Sequence, residues 1–113
     1  MKIINKTRNV VLAENAVLAD TVFKRLCGLL GREKLGDNEA LILKPSNSIH
    51  MFFMRFAIDA LFVDKDNRVI AALSEIRPWR LSKVYWKSYY VVELSSGVLA
   101  KTGTSVGDEI ALS

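Results

Sequence analysis

Apolar positions along this chain fall in short runs broken by turn residues, the signature of many short strands. Lys2 to Ile4 and Val10 to Ala13 are β-prone, with Asn5 to Asn9 between them as a turn. Glu14-Asn15 reads as a second turn, and Ala16 to Ala19 returns as a strand. One segment departs from the pattern. After a cap at Asp20 or Thr21, residues Val22, Phe23, Leu26 and Leu30 form an apolar stripe at helical spacing. Gly31 stops this helix, and Gly28 weakens the turn before it.

Gly36-Asp37-Asn38 is a loop, and Ala40 to Leu43 a short buried strand broken by Pro45 to Asn47. An extended His50 to Arg55 would put His50, Phe52 and Met54 on one face and Met51, Phe53 and Arg55 on the other. Ala57 to Val63 is apolar on both faces, as an interior strand is. Asp64 to Asn67 has hairpin-turn composition, so Arg68 to Ile76 is expected to return antiparallel near the centre of the sheet, ended by Pro78. Lys87 to Leu94 forms another strand. Ser95 or Ser96 caps a turn or two of helix over Gly97 to Lys101, stopped by Gly103. Val106-Gly107-Asp108 is a turn, and Glu109 to Leu112 a closing strand. These elements predict one mainly β (α+β) domain over residues 1–113, a compact barrel-like or roll-like sheet with one or two short helices.

Composition narrows the function classes. A chain of 113 residues, half of them hydrophobic, buries a core without staples. The single cysteine, Cys27, makes no intramolecular bridge, so nothing requires an oxidising compartment. No signal peptide and no apolar run of membrane-spanning length is visible, and a cytoplasmic monomer is expected. One histidine and one cysteine are too few soft ligands for a zinc site, and no metal or cofactor is expected. The net charge is +4, but Arg77, Arg80, Lys83 and Lys87 fall in one stretch without an acidic residue, interleaved with Trp79, Tyr85 and Trp86. Such a stretch suits an anionic ligand; nucleic acid is the less favoured partner, and a solvated loop the plainest reading.

The stretch from Ser48 to Asp64 concentrates the candidate chemistry. It holds the only histidine, His50, and places Arg55 and Asp59 inside an otherwise apolar run. Charges in such a run must be paired, hydrogen-bonded or turned to a pocket. His50, Arg55, Asp59 and Glu93 form the candidate polar group, with Arg25 and Arg32 from the helix as partners and Trp79 and Arg80 at the rim. Arginine–carboxylate pairs satisfying one another inside a small barrel are the purely architectural alternative. No framed nucleophile is present: Cys27 sits among apolar neighbours, and no GxSxG elbow surrounds Ser46 or Ser48.

Several separated motifs run in order: Thr21-x-x-x-Arg25-x-x-Gly28-Leu29-x-Gly31-Arg32, then His50-x-Phe52-Phe53-Met54-Arg55-Phe56-x-Ile58-Asp59-x-Leu61-Phe62-x-Asp64, then Pro78-Trp79, then Val92-Glu93-Leu94-x-x-Gly97, and finally Gly107-Asp108. In these the chain resembles the domain of unknown function 192 family of small prokaryotic proteins, from about Val10 onward. Ala57 stands where that pattern has a proline, and Cys27 at a variable position. The resemblance implies a compact, mainly β fold and no activity, cofactor or substrate. It also implies that many relatives carry export signals; none is expected here. The expected function is binding of a small or extended anionic ligand rather than catalysis. The rivals are a hydrolase-like enzyme using His50 with Asp59 or Glu93, and an interaction domain of a larger assembly.

Overall fold

The computed structural model describes residues 1–21, 24, 34–51 and 54–113. Eight strands are present among them: β1 (Ile3–Asn5), β2 (Val10–Ala13), β3 (Asn15–Ala19), β4 (Glu39–Leu43), β5 (Ile58–Val63), β6 (Val69–Ile76), β7 (Tyr90–Ser95) and β8 (Ile110–Leu112). A short helix, α1 (Val98–Thr102), follows β7. The strands form a three-stranded sheet in the order β2-β1-β8 and a five-stranded sheet in the order β3-β4-β7-β5-β6. The mainly β, roll-like expectation holds, with two open sheets in place of a closed barrel.

The five-stranded sheet is covered on both faces, which explains why β5 and β7 are buried at every position. Leu61, Val63, Val92 and Leu94 face a core completed by Ile3, Leu12 and Ile110 of the small sheet and by Val98 and Leu99 of α1. Ile58, Ala60, Phe62 and Val91 face the other way, onto Leu35, Ile49, Met51 and Met54. Strand alternation thus sends neighbouring residues of one strand into two separate cores.

The turn chemistry works largely as composition predicts. Asp64 Oδ1 accepts from the Asp66 and Arg68 N–H groups, and Asn67 takes the left-handed φ of 63° that closes the hairpin. That hairpin lies at one edge of the sheet, however, because β7 inserts on the other side of β5 and takes the centre. Ala16 to Ala19 does not return on β2. The N–H groups of Glu14 and Asn15 both donate to Asn38 O, steering the chain into the larger sheet, where β3 runs parallel to β4.

Among the described residues of His50 to Arg55 none belongs to a regular strand. Met51 and Met54 are both buried, and the Met54 N–H donates to Met51 O, closing a turn where alternation would have separated the two methionines. Phe52 and Phe53 lie outside the described residues, as do Arg25, Cys27, Arg32 and most of the Val22 to Leu30 helical stripe. Just before that stripe Thr21 Oγ1 accepts from the Lys24 N–H at 3.1 Å. Strand β7 starts at Tyr90, three residues later than Lys87, because Tyr85 to Tyr89 is held by the loop contacts described below.

The double pairing of β5 makes a direct prediction. Its backbone is bonded to β6 on one side and β7 on the other. Amide exchange through Leu61 to Val63 should be among the slowest in the protein, and fast exchange there would contradict the assigned pairing.

Candidate functional site

Two loops that sequence patterning separates are laid side by side. The Trp79 N–H donates to Met51 O at 2.7 Å, and the Met51 N–H to Arg80 O at 2.7 Å. His50 and Leu81 then form an antiparallel bridge. Beyond it the Ser82 N–H donates to Ile49 O at 3.0 Å, the Ile49 N–H to Ser82 Oγ at 2.8 Å, and the Tyr85 N–H to Asn47 O at 2.8 Å. The result is an irregular two-stranded ribbon outside both sheets. Pro78 ends β6 as its missing donor requires, but the chain goes on to pair with residues 47–51 instead of becoming a free loop.

Side chains alternate along residues 49–51, whereas residues 79–81 are all exposed. Ile49 and Met51 turn inward onto Phe62 and Val91, and Tyr85 packs on Phe62 with ring centroids 4.4 Å apart. His50, Arg55, Trp79 and Arg80 are exposed. Trp79 is held at a φ of 67°, a left-handed conformation that costs a bulky residue about 1–3 kcal/mol and persists only where surrounding contacts impose it. Here the bond from its N–H to Met51 O is such a contact.

The two candidate carboxylates do not join this group in the way the sequence suggests. Asp59 is fully buried on the face of β5 that meets the small sheet and α1. Its Oδ1 accepts from the Glu75 N–H at 2.8 Å, and its Oδ2 from the N–H groups of Gly97 at 3.1 Å and Leu99 at 2.9 Å. Glu75, at a left-handed φ of 52°, lies in a bulge where β6 slips register against β5. One carboxylate therefore ties the bulge to the start of α1. This is the N-cap that Ser95 and Ser96 were expected to supply. Gly97 is the capping residue, at φ 98°, with no side-chain cap of its own.

Glu93 points to the opposite face. It pairs with Leu41 and Ala60 across the sheet and shares the side of Val91, toward Ile49, Met51 and Met54. Burial pushes its carboxyl up to about 7. Among the described residues none hydrogen-bonds that carboxyl. Two residues further on, Ser95 Oγ donates to Asp37 Oδ1 at 3.2 Å, so the far end of this face carries polar groups. His50 is thus on the surface while Asp59 is sealed behind the sheet with its oxygens occupied, and the structure does not bring these two together as an acid–base pair.

What the ribbon offers chemically is recognition. An imidazole, a guanidinium group and an indole lie along one hydrogen-bonded backbone, a set able to donate to and stack on an anionic group. Among the described residues no group of three or more His, Cys, Asp or Glu could hold a metal ion, and no helix is long and apolar enough to cross a membrane. The pairing of residues 47–51 with 79–85 was missed in the sequence, where no regular alternation marks the second segment.

Comparison with known proteins agrees with this fold. The model of the DUF192 family, described as Uncharacterized ACR, matches residues 3–112. A UPF0127 protein from Thermococcus sibiricus is 38% identical over 114 residues, spanning 96% of this chain and 72% of that one. A UPF0127 protein from Pyrococcus horikoshii is 28% identical over 114 residues and spans 96% of both. A crystal structure of a protein of unknown function from Novosphingobium aromaticivorans DSM 12444 superimposes with a TM-score of 0.87 over 99% of this chain and 84% of that one. At 24% identity, this is a likeness of fold.

Proposed function

The chain belongs to the DUF192 family, for which no activity is described, and from the site geometry we propose that it is a single-domain binding module for a small or extended anionic ligand. The observation that carries this reading is the ribbon itself. His50, Trp79 and Arg80 lie on adjacent, mutually hydrogen-bonded segments, and Arg55 follows the first one in sequence and is exposed. Arg77, Lys83 and Lys87 extend the positive charge along the second, with no acidic residue between Glu75 and Glu93. Guanidinium groups supply paired donors to a carboxylate or phosphate, and the indole supplies a face for an apolar or planar portion of the ligand. A backbone held in a left-handed conformation at Trp79 further supports a preorganised clamp.

Titration of the labelled protein with inorganic phosphate and with a short acidic peptide tests this. The side-chain NMR signals of His50, Arg55 and Trp79 should move together with one saturation curve, and added salt should weaken the effect. Arg80→Ala should weaken it further without altering thermal stability, since Arg80 is exposed. Independent or unsaturable shifts of the three side chains would overturn the reading.

A further inference from the structure

Beyond the anion site, the outer part of the ribbon carries large apolar side chains in the open. Trp86 is 82% exposed, Leu81 69% and Val84 44%. They are not the loose tip of a mobile loop. Ser82 and Tyr85 pin the backbone to residues 47–49, the Ser88 N–H donates to Tyr85 O, and Ser88 Oγ donates to Ser46 O. Between those anchors only Leu81, Lys83, Val84, Trp86 and Lys87 are turned fully outward, so the exposure is built into the fold.

The charges around them have one sign. Arg77, Arg80, Lys83 and Lys87 lie within the same segment, and the ammonium groups of Lys44 and Lys65 sit over the ring of Tyr89 at 5.2 and 5.7 Å from its centroid. The segment has no acidic residue between Glu75 and Glu93. Exposed tryptophan, leucine and valine interleaved with cations along one segment match a surface that is anionic outside and apolar immediately beneath.

We propose that residues 81–87 dock the protein on an anionic lipid surface, with Trp86, Leu81 and Val84 entering the interface and Lys83 and Lys87 meeting the headgroups. Single-stranded nucleic acid, which also joins cations with aromatics, fits less well. Leu81 and Val84 offer no stacking plane, and Tyr85 is turned inward against Phe62. Docking of this kind needs no spanning helix.

Flotation of the full chain with vesicles tests the idea. Binding should occur with phosphatidylcholine containing phosphatidylglycerol and fall away with phosphatidylcholine alone, and salt should reduce it. Tryptophan emission should move to shorter wavelength on binding, and lipid-borne bromine should quench it. Lys83→Ala with Lys87→Ala should weaken binding roughly 25-fold, from about fivefold for each cation lost. Leu81→Ser with Trp86→Ser should abolish the emission shift, while thermal unfolding confirms that both variants fold. His50, Arg55, Trp79 and the cations are untouched in the Leu81→Ser with Trp86→Ser variant, so its phosphate titration reads the anion site separately. Absence of binding to the anionic vesicles, wild-type binding by both variants, or tighter binding to single-stranded oligonucleotide than to vesicles would overturn the proposal.

Discussion

Replacing Asp59 with alanine should lower the stability of the protein by about 3 kcal/mol or more, measured by urea denaturation. The substitution removes the acceptor of three backbone donors at once, the N–H groups of Glu75, Gly97 and Leu99. The buried Leu99 donor left without a partner costs roughly 1–3 kcal/mol, the part-buried donors of Gly97 and Glu75 add to it, and the Asp59 side of the sheet is packed against α1 and the small sheet. Asp59→Asn should cost less. Its remaining oxygen can still accept from the pair at Gly97 and Leu99, but its amide nitrogen then faces the Glu75 donor. The asparagine variant should therefore keep slow amide exchange at Leu99 and lose it at Glu75. Unchanged stability in both variants would contradict the buried cap.

The same residue shows where sequence reading succeeds and where it stops. A charge inside the apolar run from Ile58 to Val63 had to be satisfied, and backbone donors were one of the ways to do it. What periodicity could not supply was the identity of those donors, which lie 16 to 40 positions away. Local signals pointed instead to Ser95 or Ser96 as the cap of α1. Gly103, by contrast, ends that helix as expected, because a left-handed φ of 70° is a local demand that glycine meets locally.

Strand positions were legible for a similar reason. Val10 to Ala13, Ala40 to Leu43 and the Asp64 to Asn67 turn follow from composition within a few residues of themselves. The order of strands depends on long-range choices that no short window contains. Hence β3 was expected to fold back on β2 but runs parallel to β4, and the β5–β6 hairpin was expected centrally but lies at the edge. The candidate site was legible as a list of residue types and not as a place. His50, Trp79 and Arg80 do lie on adjoining segments, whereas Asp59 and Glu93, neighbours in the imagined constellation, are on opposite faces of one sheet. A strand buried on both faces hides its alternation, because both sets of positions are apolar.

That second carboxyl makes the protein's stability depend on pH in the direction opposite to most acidic groups. Burial raises the Glu93 carboxyl from 4.5 to about 7, so between these values the folded protein keeps a proton that the unfolded chain has released. Stability from this group is therefore complete below about 4.5 and is lost as pH rises through 7. A shift of this size corresponds to about 3 kcal/mol between the two ends of that window. Glu93→Gln removes the titration while keeping the shape of the side chain. Its buried amide contributes equally at every pH, so the quantity to compare is the change in stability between acid and alkaline buffers, not its level. Denaturation near pH 5 and near pH 8 should give a drop in the parent that is smaller in the variant by up to about 3 kcal/mol. An equal drop in parent and variant would show that the Glu93 carboxyl ionises in the folded state as readily as in the unfolded chain, which its place between Leu41 and Ala60 in the middle strand of the sheet forbids unless a cation pairs with it.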